Sequence, residues 1–222
     1  AYGCEIRDSY FHDAHDYGQP GRGYGINLDH HATGCLIENN NFDDLRHSMM
    51  VQVGANGNVF GYNYSRNSHD AVGTVLADIS IHGHYPFMNL FEGNIVDEVG
   101  VGDWWGPAGP GNTLLRNCVQ TEGLLLNDHS HNQNVIGNVL NGSPNTVTID
   151  SSVDRSLVHG NYESGAVRWD PTITIQEIRS SYYLNSAPDF YVDTPWPSTG
   201  SDKGTSCTNP AKVRLETGHP VP

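Results

Sequence analysis

NVFGYNY (Asn58–Tyr64), NLFEGNI (Asn89–Ile95), TLLRNCV (Thr113–Val119), NVIGNVL (Asn134–Leu140) and SLVHGNY (Ser156–Tyr162) decide the fold. Each is a short apolar strand, a small or polar turn, an Asn and another apolar residue. CLIENNNF (Cys35–Phe42) belongs to the same set, as does CEIRDSYF (Cys4–Phe11) with Tyr10 in the Asn slot. Aligned this way, the Asn column is Asn41, Asn63, Asn94, Asn117, Asn138 and Asn161, with spacings of 22, 31, 23, 21 and 23.

Between these segments lies a second set of strands. They are GINLDHH (Gly25–His31), MMVQVGAN (Met49–Asn56), DISIHGH (Asp78–His84), VGDWW (Val101–Trp105), LLLNDHSH (Leu124–His131), TVTIDSS (Thr146–Ser152) and VRWD (Val167–Asp170). Apolar residues alternate or run together and a turn residue follows. A period of 20–50 residues marks a repeat architecture. Short strands with Asn or Gly at fixed corners predict an all-β solenoid of about seven coils, each burying its apolar residues on its neighbours. Asn recurring at one corner predicts a hydrogen-bonded ladder along the stack. A propeller or sandwich would need frequent two-residue Asn-Gly or Asp-Gly turns. Asn-Gly occurs only at Asn56-Gly57 and Asn141-Gly142.

The near-22 period, the Asn corner and the Gly-Asn-x-apolar signature resemble right-handed parallel β-helices of the pectin-lyase-like superfamily, over Cys4 to Asp170. The resemblance implies a secreted or cell-surface protein that acts on or binds a polysaccharide. It also admits a non-enzymatic fibre or adhesive segment that self-associates through its solenoid ends. Residues 1–170 form the solenoid. Residues 171–222 are a Pro/Ser/Thr-rich tail expected to fold back over the last coil, with Tyr182, Tyr183, Phe190, Tyr191 and Trp196 as packing groups. The chain opens inside a repeat, as a trimmed product or part of a longer protein would.

Composition narrows the partners. In 222 residues there are 11 Lys+Arg against 25 Asp+Glu, a formal charge of −14. Nucleic acid and anionic membrane surfaces favour basic faces, so neither suits this chain. No apolar run approaches the 18 residues of a membrane-spanning helix. Lys is confined to Lys203 and Lys212, which leaves Arg and 11 of the 12 His as the cationic groups of the body. Cys4 and Cys35 occupy equal places in successive repeats, so a Cys4–Cys35 bridge is expected. Cys118–Cys207 is the second pairing, which would staple the tail to the body.

Counting from the aromatic that follows the Asn corner places His47 five residues after Phe42 and His69 five after Tyr64, with His15 four after Phe11. Arg46 and Asp70 adjoin this column. Imidazole supplies a general acid or base and Arg a fixed positive charge, so His15, His47, His69, Arg46 and Asp70 are the catalytic candidates. The competing reading is an ordinary polar turn column. Trp104, Trp105, Arg66 and Asp97 are candidate substrate-binding residues, because a flat indole is a platform for a sugar face. Asp43 and Asp44 are carboxylates able to hold a cation such as Ca²⁺. A lyase would use His or Tyr as base with Arg or Ca²⁺ neutralising a uronate. A hydrolase would use two carboxylates from Asp13, Asp43, Asp44, Asp70, Asp97 and Glu98. The pectate-lyase pattern of an Arg or Lys base with a Ca²⁺-binding Asp cluster does not map onto these residues. A second column, His31, Asn56, His84, His129 or His131 and Ser152, follows the other strands as turn chemistry or weak metal ligands.

Overall fold

The computed structural model describes residues 1–17, 21–69 and 77–218. The chain winds as a parallel β-solenoid with three strands per coil. The first two coils are β1 (Glu5–Arg7), β2 (Tyr10–His12) and β3 (Tyr24–Leu28), then β4 (Leu36–Glu38), β5 (Asn41–Asp43) and β6 (His47–Val51). The next two are β7 (Val59–Gly61), β8 (Tyr64–Arg66) and β9 (Ile79–Ile81), then β10 (Leu90–Glu92), β11 (Ile95–Val96) and β12 (Val99–Val101). They are followed by β13 (Thr113–Leu115), β14 (Cys118–Val119) and β15 (Leu124–Leu126), then β16 (Asn134–Ile136), β17 (Val139–Leu140) and β18 (Val147–Ile149). A seventh, incomplete coil has β19 (Leu157–His159), β20 (Asn161–Glu163) and β21 (Ala166–Arg168).

Equivalent strands stack into three sheets. Sheet one begins at β1, sheet two at β2 and sheet three at β3. Ile37, Phe60, Phe91, Leu114, Val135 and Val158 stand in one parallel register down sheet one. Phe60 and Phe91 stack at 4.8 Å inside the core. Six coils are complete, against about seven expected. The last coil stops because β21 turns back and pairs antiparallel with β20. Ser164 and Gly165 both have positive φ (49° and 86°), the requirement of a two-residue hairpin turn.

The corner between sheets one and two has a backbone rule. Asp8, Asn39, Tyr62, Gly93, Arg116, Gly137 and Gly160 are all left-handed, with φ between 52° and 67°. The residue after each points inward, and in six of the coils it is Asn. Asn63 is typical: its N–H and Nδ2 both donate to Asn94 Oδ1 (3.0 and 2.9 Å), and Nδ2 also donates to Ile37 O. The ladder is therefore Asn40, Asn63, Asn94, Asn117, Asn138 and Asn161. This corrects Asn41 to Asn40, and the first-coil equivalent from Tyr10 to Ser9, whose N–H donates to Asn40 Oδ1. Asn41 instead opens β5, opposite Tyr10 and Tyr64. A second ladder, Asn58, Asn89 and Asn112 continuing to Gln133, occupies the corner that precedes sheet one.

The tail does not simply close over the last coil. It runs back along the Asn-ladder corner as a strap from the seventh coil to the second. Ser201 donates to Gly160 O, and Tyr183 Oη donates to Glu38 at 2.5 Å. Arg116 is fully buried. Its guanidinium donates to the carbonyls of Ile178, Arg179 and Thr199 and to Asp202. Tyr62 packs against Tyr183, Phe190 and Tyr191, and its hydroxyl accepts from Trp196 and donates to Glu92. The strap ends in α1 (Pro210–Thr217), capped by Asn209, whose Nδ2 also donates to the carbonyls of Tyr62, Asn63 and Gly93. Cys118–Cys207 fastens it to sheet two, with Cα atoms 6.1 Å apart. The expected Cys4–Cys35 bridge is absent. Both thiols are free, and each Sγ turns toward the carbonyl two residues earlier, of Tyr2 and Thr33 respectively.

Candidate functional site

Sheet three carries a groove of about 1060 Å³ on its outer side. Alternation along the strands builds its floor. Ile79, Ile81, Val99 and Val101 point into the core, so Ser80 and Gly100 between them face outward. Their small size leaves the floor close to the backbone. Tyr24, Arg46 and His47 form one wall, and His82, His84, Asp103, Trp104 and Trp105 form the other. Asp29, His30, Gln52 and Asn127 extend the lining from the first coil to the fifth. Four coil-to-coil steps of about 4.8 Å make a trough about 19 Å long.

Two histidines in this groove differ in character. His47 is buried, and its Nδ1 lies 2.8 Å from Ala77 O. Burial drives its pKa down to about 4, with the positive charge of Arg46 adding to the effect. It is a neutral imidazole that donates from Nδ1. Arg46 lies over the Tyr24 ring, 5.8 Å from its centroid. His82 is more open, and its Nδ1 stands 2.7 Å from Asp103 Oδ2. The Gly83 N–H also points at that nitrogen, at 2.8 Å. One ring nitrogen cannot donate and accept at once. A carboxylate only accepts, so the Asp103 contact calls for Nδ1–H and leaves the Nε2 lone pair free.

The turn after β12 fixes the far side of this pair. Trp105 N–H donates to Asp103 Oδ1 at 2.9 Å, and the Trp105 ring meets His82 and His84 edge-on at 5.5 and 5.3 Å. A Cβ on Gly83 would stand 2.7 Å from the Trp105 backbone, so this close approach requires glycine. Trp104 is 83% exposed and Trp105 42%, which makes Trp104 the open rim and Trp105 the support of the imidazoles.

Of the sequence candidates, the groove brings together Arg46, His47, Trp104 and Trp105. His15 and His69 are exposed and lie outside its lining, with the His69 ring edge-on to Tyr17 at 4.8 Å. The strand register explains the separation. Met49 pairs with Ile79, so the residue beside His47 is Ala77 and not His69. Asp70 lies outside the described residues. Arg66 sits on sheet two and chelates Asp43 through Nε and Nη2, at 2.9 and 2.6 Å. Burial pushes the Asp43 carboxyl up, but hydrogen bonds from Arg66, Asn67 and Tyr10 outweigh it and hold the group below the usual range.

With its oxygens so occupied, Asp43 does not fit as a Ca²⁺ ligand with Asp44, whose carbonyl accepts from Tyr17 Oη. Among the described residues, no group of three or more His, Cys, Asp or Glu is placed to hold a metal ion. Asp97 is also outside the groove, accepting from Thr121 Oγ1 at 2.6 Å. Near it, burial and the charges of Glu122 and Asp78 push Glu98 up to about 7. In the second column, His84 enters the groove, while His131 pairs with Asp154 at 2.7 Å away from it.

The sequence reading missed His82 and Asp103 as a pair. The signal was present in DISIHGH and VGDWW. Aligning Ile79–Ile81 with Val99–Val101 puts His82 one residue past the first strand and Asp103 two past the second. Comparisons with protein-family models, curated proteins and solved structures returned no match.

Proposed function

We propose that this chain acts on an extended, acidic polysaccharide laid along the sheet-three groove, as a secreted member of the pectin-lyase-like β-helices would. The observation that carries the reading is the groove itself. It is an open trough across five coils, with an exposed indole on its rim and Arg46 and imidazoles in its walls. A trough of that length suits a polymer better than a single small molecule. In the groove wall Arg46 is a fixed positive charge set among the carboxylates of Asp29 and Asp103, and it is the group an acidic sugar would meet there. Trp104 supplies the flat apolar surface on which a sugar ring packs.

The test is a panel of neutral and acidic polysaccharides, read by affinity electrophoresis and by new chain ends. Retardation by uronate polymers, reduced in Trp104→Ala with the fold unchanged, is the expected result. Equal migration of wild type and Trp104→Ala on every polymer would remove the basis of the reading.

A second reading is a structural or adhesive solenoid segment that associates end to end. The observation in its favour is that β1, β2 and β3 stand at the edges of their sheets, beside the exposed Tyr2 and Tyr10. Sedimentation over a concentration series separates the two, since a groove-binding monomer sediments independently of concentration.

A further inference from the structure

We infer that the sheet-three groove reverses its charge with pH, so that it takes up an anionic polymer in mildly acidic medium and releases it above neutrality. The inference rests on the polysaccharide reading above and adds what controls occupancy of that site. It starts from the charges that line the trough. Among the described residues of the lining, Arg46 is a fixed positive charge and Asp29 and Asp103 are two carboxylates, which leaves a balance of −1. Four imidazoles share the lining, His30, His47, His82 and His84. Imidazole is the side chain that changes charge between about pH 5 and 8. His47 takes no part, because burial holds its pKa at about 4 and keeps it neutral over that range. The other three stand on the open side. His30 is exposed, with Nδ1 2.6 Å from Asp29 Oδ1, and His82 Nδ1 is 2.7 Å from Asp103 Oδ2. His84 is exposed beside the Trp105 ring. Tyr24 completes the titratable groups of the lining, with Arg46 over its ring.

Each carboxylate of the lining is thus paired with a histidine, and the pairing makes the switch. With neutral imidazoles each pair carries −1, and the two together outweigh Arg46. An acidic sugar then meets a repulsive trough. When His30, His82 and His84 are protonated, both pairs become neutral and His84 adds a charge, so the lining moves from −1 to +2. Protonation also changes what His82 offers. Asp103 already accepts from Nδ1–H, so the arriving proton goes to Nε2, on the side of the trough. That nitrogen turns from an acceptor into a charged donor. Carboxylate and sulfate groups only accept, so they find a partner there in the protonated state alone. Linkage makes the effect reciprocal: a polymer that prefers the protonated groove draws protons onto it as it binds.

The experiment uses the full chain with polygalacturonate and dextran sulfate, two probes that stay ionised from about pH 5.5 to 8, and neutral dextran as the control. Kd is measured by calorimetry across that range, with the fold checked by circular dichroism at each pH. For the acidic probes Kd should rise on the order of 10-fold to 100-fold toward the alkaline end, since each of three partly exposed charge contacts contributes up to about fivefold. High salt should shrink the rise. Replacing His30, His82 and His84 together by Gln should leave Kd flat across the range. His131→Gln, at a histidine outside the groove, should keep the wild-type profile. Asp29→Asn combined with Asp103→Asn should bind the acidic probes at the alkaline end about tenfold more tightly than wild type does there. That variant gains affinity, so misfolding cannot imitate it. A wild type whose Kd for the acidic probes does not change with pH overturns the inference and leaves the polysaccharide reading standing. So does a His131→Gln profile as flat as that of the triple variant, an Asp double variant without the gain, or the same pH profile on neutral dextran. A wild type that binds none of the polymers overturns the polysaccharide reading first, and this inference with it.

Discussion

Two faces of the solenoid carry buried or half-buried ionisable groups, and they treat them differently. At the strap corner, the partners of each charge are internal. Glu92 accepts from Tyr62 Oη and the Tyr182 N–H, and Arg116 spends its guanidinium on three carbonyls and Asp202. Burial raises the Glu92 carboxyl, and the donors around it work against that rise. On sheet three the partners are one-sided. His82 is held by Asp103 at one nitrogen, and the rest of its ring faces the trough. A polar network that closes on itself specifies structure. A polar group held on one side and open on the other is positioned for a ligand. The closure of the network separates the two faces.

The two faces separate most visibly at Arg116. Arg116→Ala strands Asp202 and three carbonyls, and a loss on the order of 3–5 kcal/mol is expected in denaturant unfolding, with groove binding preserved in the folded fraction. An equal loss of binding would show that the two faces are not independent.

His47 gives the next effect, through pH. Its folded pKa is about 4 against an ordinary 6.5, so the unfolded chain binds the proton more readily. The native state therefore keeps its full stability above about pH 6.5 and loses it as the pH falls toward 4, by about 3 kcal/mol over that window. His47→Gln should flatten the stability profile between those values. A wild-type profile already flat there would mean that His47 is not the buried neutral group of the groove wall.

The smallest effect concerns the ladder beneath the strap. Asn138→Ala leaves Asn117 N–H and Nδ2 without their shared acceptor. A loss of about 1–3 kcal/mol is expected by chemical denaturation. A value under about 0.5 kcal/mol would place the side chain among ordinary surface groups.

The fold was legible because its signal is local. Apolar strand, left-handed corner and inward residue recur within seven residues, as in Asn58–Tyr64 and Asn134–Leu140. The one-residue slip at Asn41 arose where three asparagines run together and only the backbone φ of Asn39 marks the corner. The site was half legible, because the groove lies beyond the variable part of each coil. From the ladder Asn to the first residue of the third strand is seven residues in the second coil (Asn40 to His47) and 16 in the third (Asn63 to Ile79). Equal offsets from the corner therefore put His69 in the insert before β9 rather than in β9. His82 and Asp103 become neighbours only when counted backward from the strands they follow. The strap's attachment was illegible for a different reason. Its partners from Gly160 to Asn39 are 41 to 175 residues apart and carry no period.

The strap also changes how the stack can come apart. A solenoid held only by nearest-neighbour coils is a one-dimensional chain of contacts and can peel from either end. Here one polypeptide segment touches Gly160, Arg116, Glu92, Tyr62 and Asn39, across the second to seventh coils. Loosening any one of those coils means releasing the shared tie, so they melt as a single cooperative unit. The first coil, mostly exposed along Ala1–Phe11, stands outside that unit. Fast amide exchange should cover β1 to β3 and slow exchange begin at β4, a sharp step in protection in place of a gradient along the stack.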